Sequence, residues 1–497
     1  MHKPTYREFL SMAEQGNLIP VYRDYDGDYQ TPVDVYERLK GTGFSCYFEK
    51  VERGEKNGRF SYICINPVKV FINGGNGIRG ESEKGRTSDP FEDLKDVTER
   101  LKPVGYNELP DDYPGIIGFF SYDAVRHIER LPDLNHDDLN IPDAVMIFPG
   151  NVIVFDNHLR AIRVISNCLL DRIDGSNNME EAYLRAVRNI DGIITTLKSE
   201  AGNGKLQDKR KDKGKSFQPI QFKTNIARED FEKAVVRAKE YIEAGDAIQI
   251  VISRRLEAEI RIDPLRIFKA LKEVNPSPYM FFMDFGELKL IGSSPELLVK
   301  VEGNRVTTNP IAGTRPRFNE PGMDREMEKE LLADEKERAE HLMLVDLSRN
   351  DLGRVSKFGS VNVKRFMEVE RFSHVIHLVS EVEGELLENL NCLDALKACF
   401  PAGTVSGAPK IRAMEVIEEL ETNKRGPYAG AVVNLNFRGG MDSCIIIRTI
   451  VMKGSKAYIQ AGAGIVADSI PEREYEETQK KAEALIRAVK LAEEVEG

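Results

Sequence analysis

The chain has 497 residues, with 70 Lys+Arg against 81 Asp+Glu, a net charge of −11, 41% hydrophobic and 30% charged residues. This is the make-up of a soluble globular chain, long enough for a large core and one to three domains, and its acidic balance argues against a nucleic-acid backbone or an anionic membrane as the main partner. Six cysteines without a CxxC pair, an N-terminus lacking an apolar signal core and no run of about 18 apolar residues lead us to expect reduced thiols, no membrane span and a cytoplasmic location.

In chain order, RFSYICINP and NVIVFDNHLRAIRVIS predict strands, the second bent at Asp156–Asn157. GIIGFFSY predicts another strand whose glycines mark close backbone approach. Residues 199–219 combine Gly, Lys and Asp with almost no apolar content and cannot bury enough surface to order themselves. We therefore read an N-terminal region at 1–198, an exposed basic linker at 199–220 and a C-terminal region at 221–497. The latter opens with a helix from Arg228 to Ala244, with Phe231, Val235, Ala238 and Ile242 on one face and Gly245 as its stop. A strand, AIQIVISRRLEAEI, follows. A helix then starts at Pro264 and ends before Pro276 and Pro278, ahead of a strand from Met280 to Phe285. Two long charged helices are expected at about 324–347 and 471–493. Without regular βαβ spacing, the pattern predicts α+β with large antiparallel sheets.

The chemistry concentrates in two matching carboxylate pairs, Glu337/Glu340 and Glu474/Glu477. Residues three apart share a helix face. Two carboxylates about 5 Å apart repel by roughly 3 kcal/mol at an effective dielectric near 20, a cost that a divalent cation would remove. Oxygen-only ligands suit Mg²⁺; the plain alternative is a solvated acidic face. PAGTVSGAPK runs into a helix and offers backbone N–H groups with the Thr404 and Ser406 hydroxyls for a carboxylate or phosphate, but its spacing is not that of a P-loop. QAGAGIV and PIAGTRPR read as two more small-residue loops; three anion-friendly loops suggest a substrate with more than one carboxylate. Arg448, within the apolar run CIIIRTIV, needs an anionic partner. His377 is either a proton-transfer group or a hydrogen-bonded core histidine.

SSPELL, PIAGTRPR, AEHLMLVDLSRNDLGRV, SHVIHLVS, FPAGTVSGAPK, RGPYAGAV, QAGAGIV and PEREYEET, in this order between Thr224 and the end, resemble the chorismate-utilising enzymes. FEKVERGEKNGRFSYI and GIIGFFSYDAVR resemble the synthase component of anthranilate synthases. The resemblance implies a sandwich of two large antiparallel sheets forming a cleft, with helices outside and Mg²⁺ as metal. It implies amination of chorismate by ammonia, free or supplied from glutamine by a glutamine amidotransferase subunit in a heterotetramer. Loss of pyruvate then gives anthranilate, the first committed step of tryptophan biosynthesis.

By motif, the resemblance makes Glu340 and Glu477 direct Mg²⁺ ligands, with Glu337 and Glu474 nearby or acting through water. The ring carboxylate would meet the metal, Thr404 and the backbone of Gly313, Thr314 and Gly464. The enolpyruvyl carboxylate would meet Arg448, Tyr428 and Gly462. Glu296 would be the general acid for the departing hydroxyl, with His377 beside it. Such roles are physically coherent, because a dianion needs a cation at each end and a donating carboxylic acid must stay protonated near neutral pH. Ala312 stands where aminodeoxychorismate synthases commonly carry lysine, in keeping with ammonia being a nucleophile already. Feedback by L-tryptophan would use Glu49, Lys50, Pro278, Tyr279, Met280 and Cys444, although Lys50 replaces the usual serine. An aminodeoxychorismate synthase and a noncatalytic tryptophan-sensing subunit remain as alternatives.

Overall fold

The computed structural model describes residues 1–26, 31–41, 43–51, 58–74, 82–84, 89–170, 178–199, 220–318, 320–371 and 375–494. The expected basic linker lies outside them, apart from Ser199 and Ile220.

The α+β expectation holds, and among the described residues the strands pair antiparallel except for a short parallel pair at 82–84. One long ladder organises the sheets, that of strands Phe60–Asn73 and Ala144–Asp156. Its first half continues into Ser45–Lys50 on one side and Ala161–Leu169 on the other. Its second half pairs instead with Ile116–Phe120. Between the halves the register shifts between Pro67 and Lys69, opposite Pro149; prolines lack the ladder donor and favour such bends. The expected two sheets are thus joined by shared strands into one hydrogen-bonded network.

The first sheet runs onward through Tyr279–Phe285, Leu288–Ser294, Thr449–Lys453 and Lys456–Ile465 to Gln249–Glu259. The second runs through Ala431–Leu435, Met441–Ile445, Leu297–Glu302 and Arg305–Thr308 to Val375–Glu385, which also carries Ile311–Pro316. Side chains alternate as the pleat demands. On Tyr279–Phe285, residues Tyr279, Phe281, Met283 and Phe285 enter the core shared by both sheets, while Met280 and Phe282 enter a core under the helices. Each such aromatic contributes about 1.5–3 kcal/mol by leaving water.

The C-terminal helix Pro471–Glu494 buries Tyr475, Thr478, Ala482, Leu485, Val489 and Ala492, a three-and-four spacing that leaves its opposite face wet. The helix Arg228–Glu243 ends as expected, with Gly245 at φ +85°. The single helix expected at 324–347 is two, Pro321–Ala333 and Glu335–Gly353. Asp334, with extended ψ, separates them; its carboxylate accepts from the Lys336 and Glu337 amides and caps the second helix. All six cysteines are free thiols, and among the described residues no helix is long and apolar enough to cross a membrane.

Candidate active site

Glu296 sits in the turn between strands Leu288–Ser294 and Leu297–Glu302. Its backbone carbonyl accepts from Ile445 N at 3.1 Å, and Ser294 Oγ donates to Ile445 O at 2.6 Å. The side chain is 7% exposed. Loss of water pushes its carboxyl up to about 8, only partly offset by Thr404 and the Lys481 ammonium.

Thr404 lies on the short helix Gly403–Ser406. Arg425 holds this loop in place, donating to Val405 O at 2.7 Å while paired with Glu421 at 2.7 Å. The Ser406 hydroxyl, expected to donate to an anion, instead donates to Ala402 O at 2.8 Å. Lys410 is engaged by Asp351, also at 2.8 Å.

PIAGTRPR and QAGAGIV are not loops but strand segments. Their small residues serve close approach instead. Gly313, at φ +68°, forms a bulge against Val375–Glu385. Its carbonyl accepts from His377 Nδ1 at 2.7 Å, and Thr314 Oγ1 lies 3.2 Å from the same nitrogen. A carbonyl only accepts, so the hydrogen is on Nδ1 and the lone pair on Nε2. Desolvation, with Arg448 and Lys481 as unfavourable neighbours, lowers His377 to about 4.

The two glutamate pairs approach one another from different helices. Glu340 is raised by burial first and then by the fields of Glu337 and Glu477; Glu474 is raised by burial and by Glu477. Three of the four carboxylates are restrained by groups that motif reading missed. Gln249 Nε2 donates to Glu340 at 2.9 Å, Arg315 to Glu337 at 3.0 Å, and Lys481 pairs with Glu477 at 2.7 Å. Lys481 lies four residues beyond Glu477, so helical periodicity offered a signal for it; Gln249 and Arg315 arrive only through tertiary pairing. His341 is a core residue, fully buried with Nε2 2.6 Å from Ser380 Oγ. The donor set, four carboxylates in each other's fields, fits a hard divalent cation. Among the described residues, no three metal-ligating side chains converge to ligating distance.

At the other end stand Arg448, Tyr428 and Gly462. Arg448 is not inside a strand, as expected, but between Met441–Ile445 and Thr449–Lys453, at φ +51°. The break turns its guanidinium to Lys481 O at 2.5 Å. Burial lowers its pKa against the pull of Tyr428 and Glu477. Lys481 Nζ donates to Gly462 O at 3.0 Å. A Cβ at Gly462 would lie 2.8 Å from the Tyr428 hydroxyl, and one at Gly464 2.5 Å from Gln249 Nε2. Lys481 therefore ties the arginine end to the glutamate end.

The six candidates for tryptophan fall on opposite sides of the first sheet, with Cys444 reaching one of them from the second sheet. Glu49 and Met280 are direct cross-strand partners, as are Lys50 and Tyr279. Glu49 accepts from Tyr47 at 2.8 Å and pairs with Lys272, next to the core under the helices. Lys50 faces the other way and pairs with Asp442, which also accepts from the Tyr279 hydroxyl at 2.9 Å. Cys444 lies in that same inter-sheet core. Pro278 closes the edge through its carbonyl, which accepts from Val51 N at 2.8 Å.

This arrangement of helices and antiparallel sheet is the fold of the chorismate-utilising enzymes. The sequence pattern of chorismate binding enzymes matches residues 46–487, and the chain belongs to that family. Within it, the chain is 45% identical to anthranilate synthase component 1 of Acetivibrio thermocellus over 508 residues, covering 100% of each. It is 45% identical to that of Aquifex aeolicus, with 98% of each covered. The crystal structure of anthranilate synthase component I from Streptococcus pneumoniae TIGR4 is similar at 40% identity and TM-score 0.74, covering 93% of this chain and 98% of that one.

Proposed function

We propose that this chain is the synthase component of an anthranilate synthase, converting chorismate and ammonia to anthranilate, pyruvate and water in tryptophan biosynthesis. The observation that carries the reading is a buried carboxylic acid, Glu296, raised to about 8, in a site with Arg448 at one end and four glutamates at the other. Arg448, Tyr428 and Gly462 bind the enolpyruvyl carboxylate. Thr404 and the Gly313–Thr314 and Gly464 backbone orient the ring carboxylate. As ammonia bonds to the ring, the hydroxyl C–O bond breaks and Glu296 passes its proton to the departing oxygen, which leaves as water. His377, neutral, sits beside that hydroxyl and assists its departure. The ring C–H proton is then lost, the enolpyruvyl C–O bond breaks and the methylene carbon takes up a proton, releasing pyruvate, which makes the enzyme a lyase.

Glu340 and Glu477, with Glu337 and Glu474 nearby, would hold Mg²⁺. Bound there, Mg²⁺ supplies the counter-charge that the ring carboxylate requires. Ala312 provides no lysine nucleophile, which supports ammonia as the attacking group. We propose a separate glutamine amidotransferase subunit as the ammonia source in a heterotetramer, and L-tryptophan as a feedback inhibitor. Its pocket would include Glu49, Pro278 and Met280, with Lys50, Tyr279 and Cys444 on the opposite face. Six free thiols, five of them buried, support a cytoplasmic location.

Purified chain with chorismate, Mg²⁺ and ammonium tests the reading. Anthranilate fluorescence with stoichiometric pyruvate is expected. An aminated product that retains its side chain identifies an aminodeoxychorismate synthase, and no turnover by folded chain overturns the reading.

A further inference from the structure

Behind Glu296 lies a cavity of about 30 Å³, lined on its polar side by Glu296, Thr308, Ser348, Asp351 and Thr404. Its remaining walls are apolar, among them Leu298, Leu344 and Leu347. Leu344, Leu347, Ser348 and Asp351 follow helical spacing on Glu335–Gly353, so one helix face forms a whole wall. A water needs at least about 10–15 Å³ and two to four polar partners. This space meets both conditions for one or two.

The polar groups differ in what they already do. The Thr308 hydroxyl donates to Leu298 O at 2.9 Å. Asp351 Oδ2 accepts from Lys410 Nζ at 2.8 Å, and the same ammonium donates to Cys399 O at 3.1 Å. Thr404 Oγ1 is buried against the Glu296 carboxyl, whose rise it moderates, but makes no hydrogen bond of good geometry among the described residues. A buried hydroxyl so poorly satisfied beside a polar cavity is the usual mark of an internal water. We infer that this cavity is a hydration site that holds Glu296 in position, and that Ser348 and Asp351 are positioning residues acting on the general acid through ordered water.

The inference rests on the proposed role of Glu296. One carboxyl oxygen must aim its proton at the departing hydroxyl, and the other then needs a partner of its own. Water between Glu296, Thr404 and Ser348 supplies that partner and keeps hydrogen-bonding the carboxylate once the proton has left. The Lys410-anchored Asp351 fixes the far end of the water. Every proton in this arrangement stays within existing hydrogen bonds; the only transfer is from Glu296 to the departing oxygen.

Two variants of equal volume separate hydration from packing. Ser348→Val adds bulk and deletes the hydroxyl, whereas Ser348→Thr adds the same bulk and keeps it. The valine variant is expected to lose about tenfold in kcat, with KM for chorismate within about twofold of wild type, and the threonine variant to recover most of that loss. A fall below about threefold in the valine variant, or equal falls in both, overturns the inference. If the valine variant does not fold by calorimetry, Ser348→Ala replaces it in the comparison with threonine. A crystal structure of the wild-type chain gives a readout independent of activity. Ordered water within hydrogen-bonding distance of Glu296 and of Ser348 or Asp351 is expected; a dry cavity overturns the inference. Absence of anthranilate from the wild type, by contrast, defeats the proposed function and leaves the crystallographic result standing on its own.

Discussion

Burial decides what Glu296 does. Its carboxyl, raised to about 8, is the working form only while protonated, so kcat is expected to hold below about pH 8 and to fall about tenfold per unit above it. Thr404 and Lys481 face this group and moderate the rise. Glu296→Gln should cost about 10²–10⁴ in kcat and abolish the alkaline limb, as a pH–rate profile would read. Stability follows the same proton. The folded carboxyl binds its proton more tightly than the unfolded one, whose value is near 4.5. Stability therefore declines as pH rises from about 4.5 to 8. Urea unfolding at pH 5 and pH 9 should show Glu296→Gln flattening that decline by about 1–4 kcal/mol. His377, at about 4, stays neutral across this range, so no inflection near 6.5 is expected.

Element ends and close strand contacts set the positions of these groups. Asp334 caps the helix that carries Glu337 and Glu340, and also pairs with Arg315 at 2.7 Å. Asp334→Ala is expected to cost about 1–2 kcal/mol by denaturant unfolding, and to release Arg315 from its three-carboxylate arrangement. Gly462→Ala would drive a methyl group to 2.8 Å from the Tyr428 hydroxyl and 3.0 Å from Ile252 O. KM for chorismate should rise about tenfold or more, with the fold intact by circular dichroism. These positions show which parts of the site were legible. Glu337/Glu340 and Glu474/Glu477 follow from helical period alone, and Lys481 lies one turn further on. Gln249 gave no local sign, because its strand meets the helix of Glu340, 91 residues away in sequence, only in the folded chain. The small residues of PIAGTRPR and QAGAGIV were visible but misread as loops, since glycine marks close approach as well as turns.

At the scale of the molecule, the Phe60–Asn73/Ala144–Asp156 ladder makes two sheets one network, and Lys50–Asp442 ties them across their shared core. Lys50 belongs to the first sheet and Asp442 to the second. Asp442 raises the Lys50 pKa against the desolvation that lowers it. Among the described residues, Lys50→Met leaves the buried Asp442 side chain with the Tyr279 hydroxyl as partner. The expected loss is about 2–4 kcal/mol by urea unfolding, below the 3–5 of a wholly buried pair because a quarter of the Lys50 side chain remains exposed.

The sequence by itself determined the α+β class, the limits of the helices that start at Arg228, Pro264 and Pro471, the two glutamate pairs and the family to which they point, because period, caps and motif order are local properties of the chain. Only the tertiary structure decided that Glu296 loses its water, that Lys481 joins the two charged ends, that Ser406 and Lys410 are already engaged, and that the six tryptophan candidates split across a sheet. Burial and cross-strand partnership depend on segments far apart in the chain. The excess of acid that the composition displayed is the clearest case: its count was plain from the start, but which glutamates share a field depended on two helices meeting.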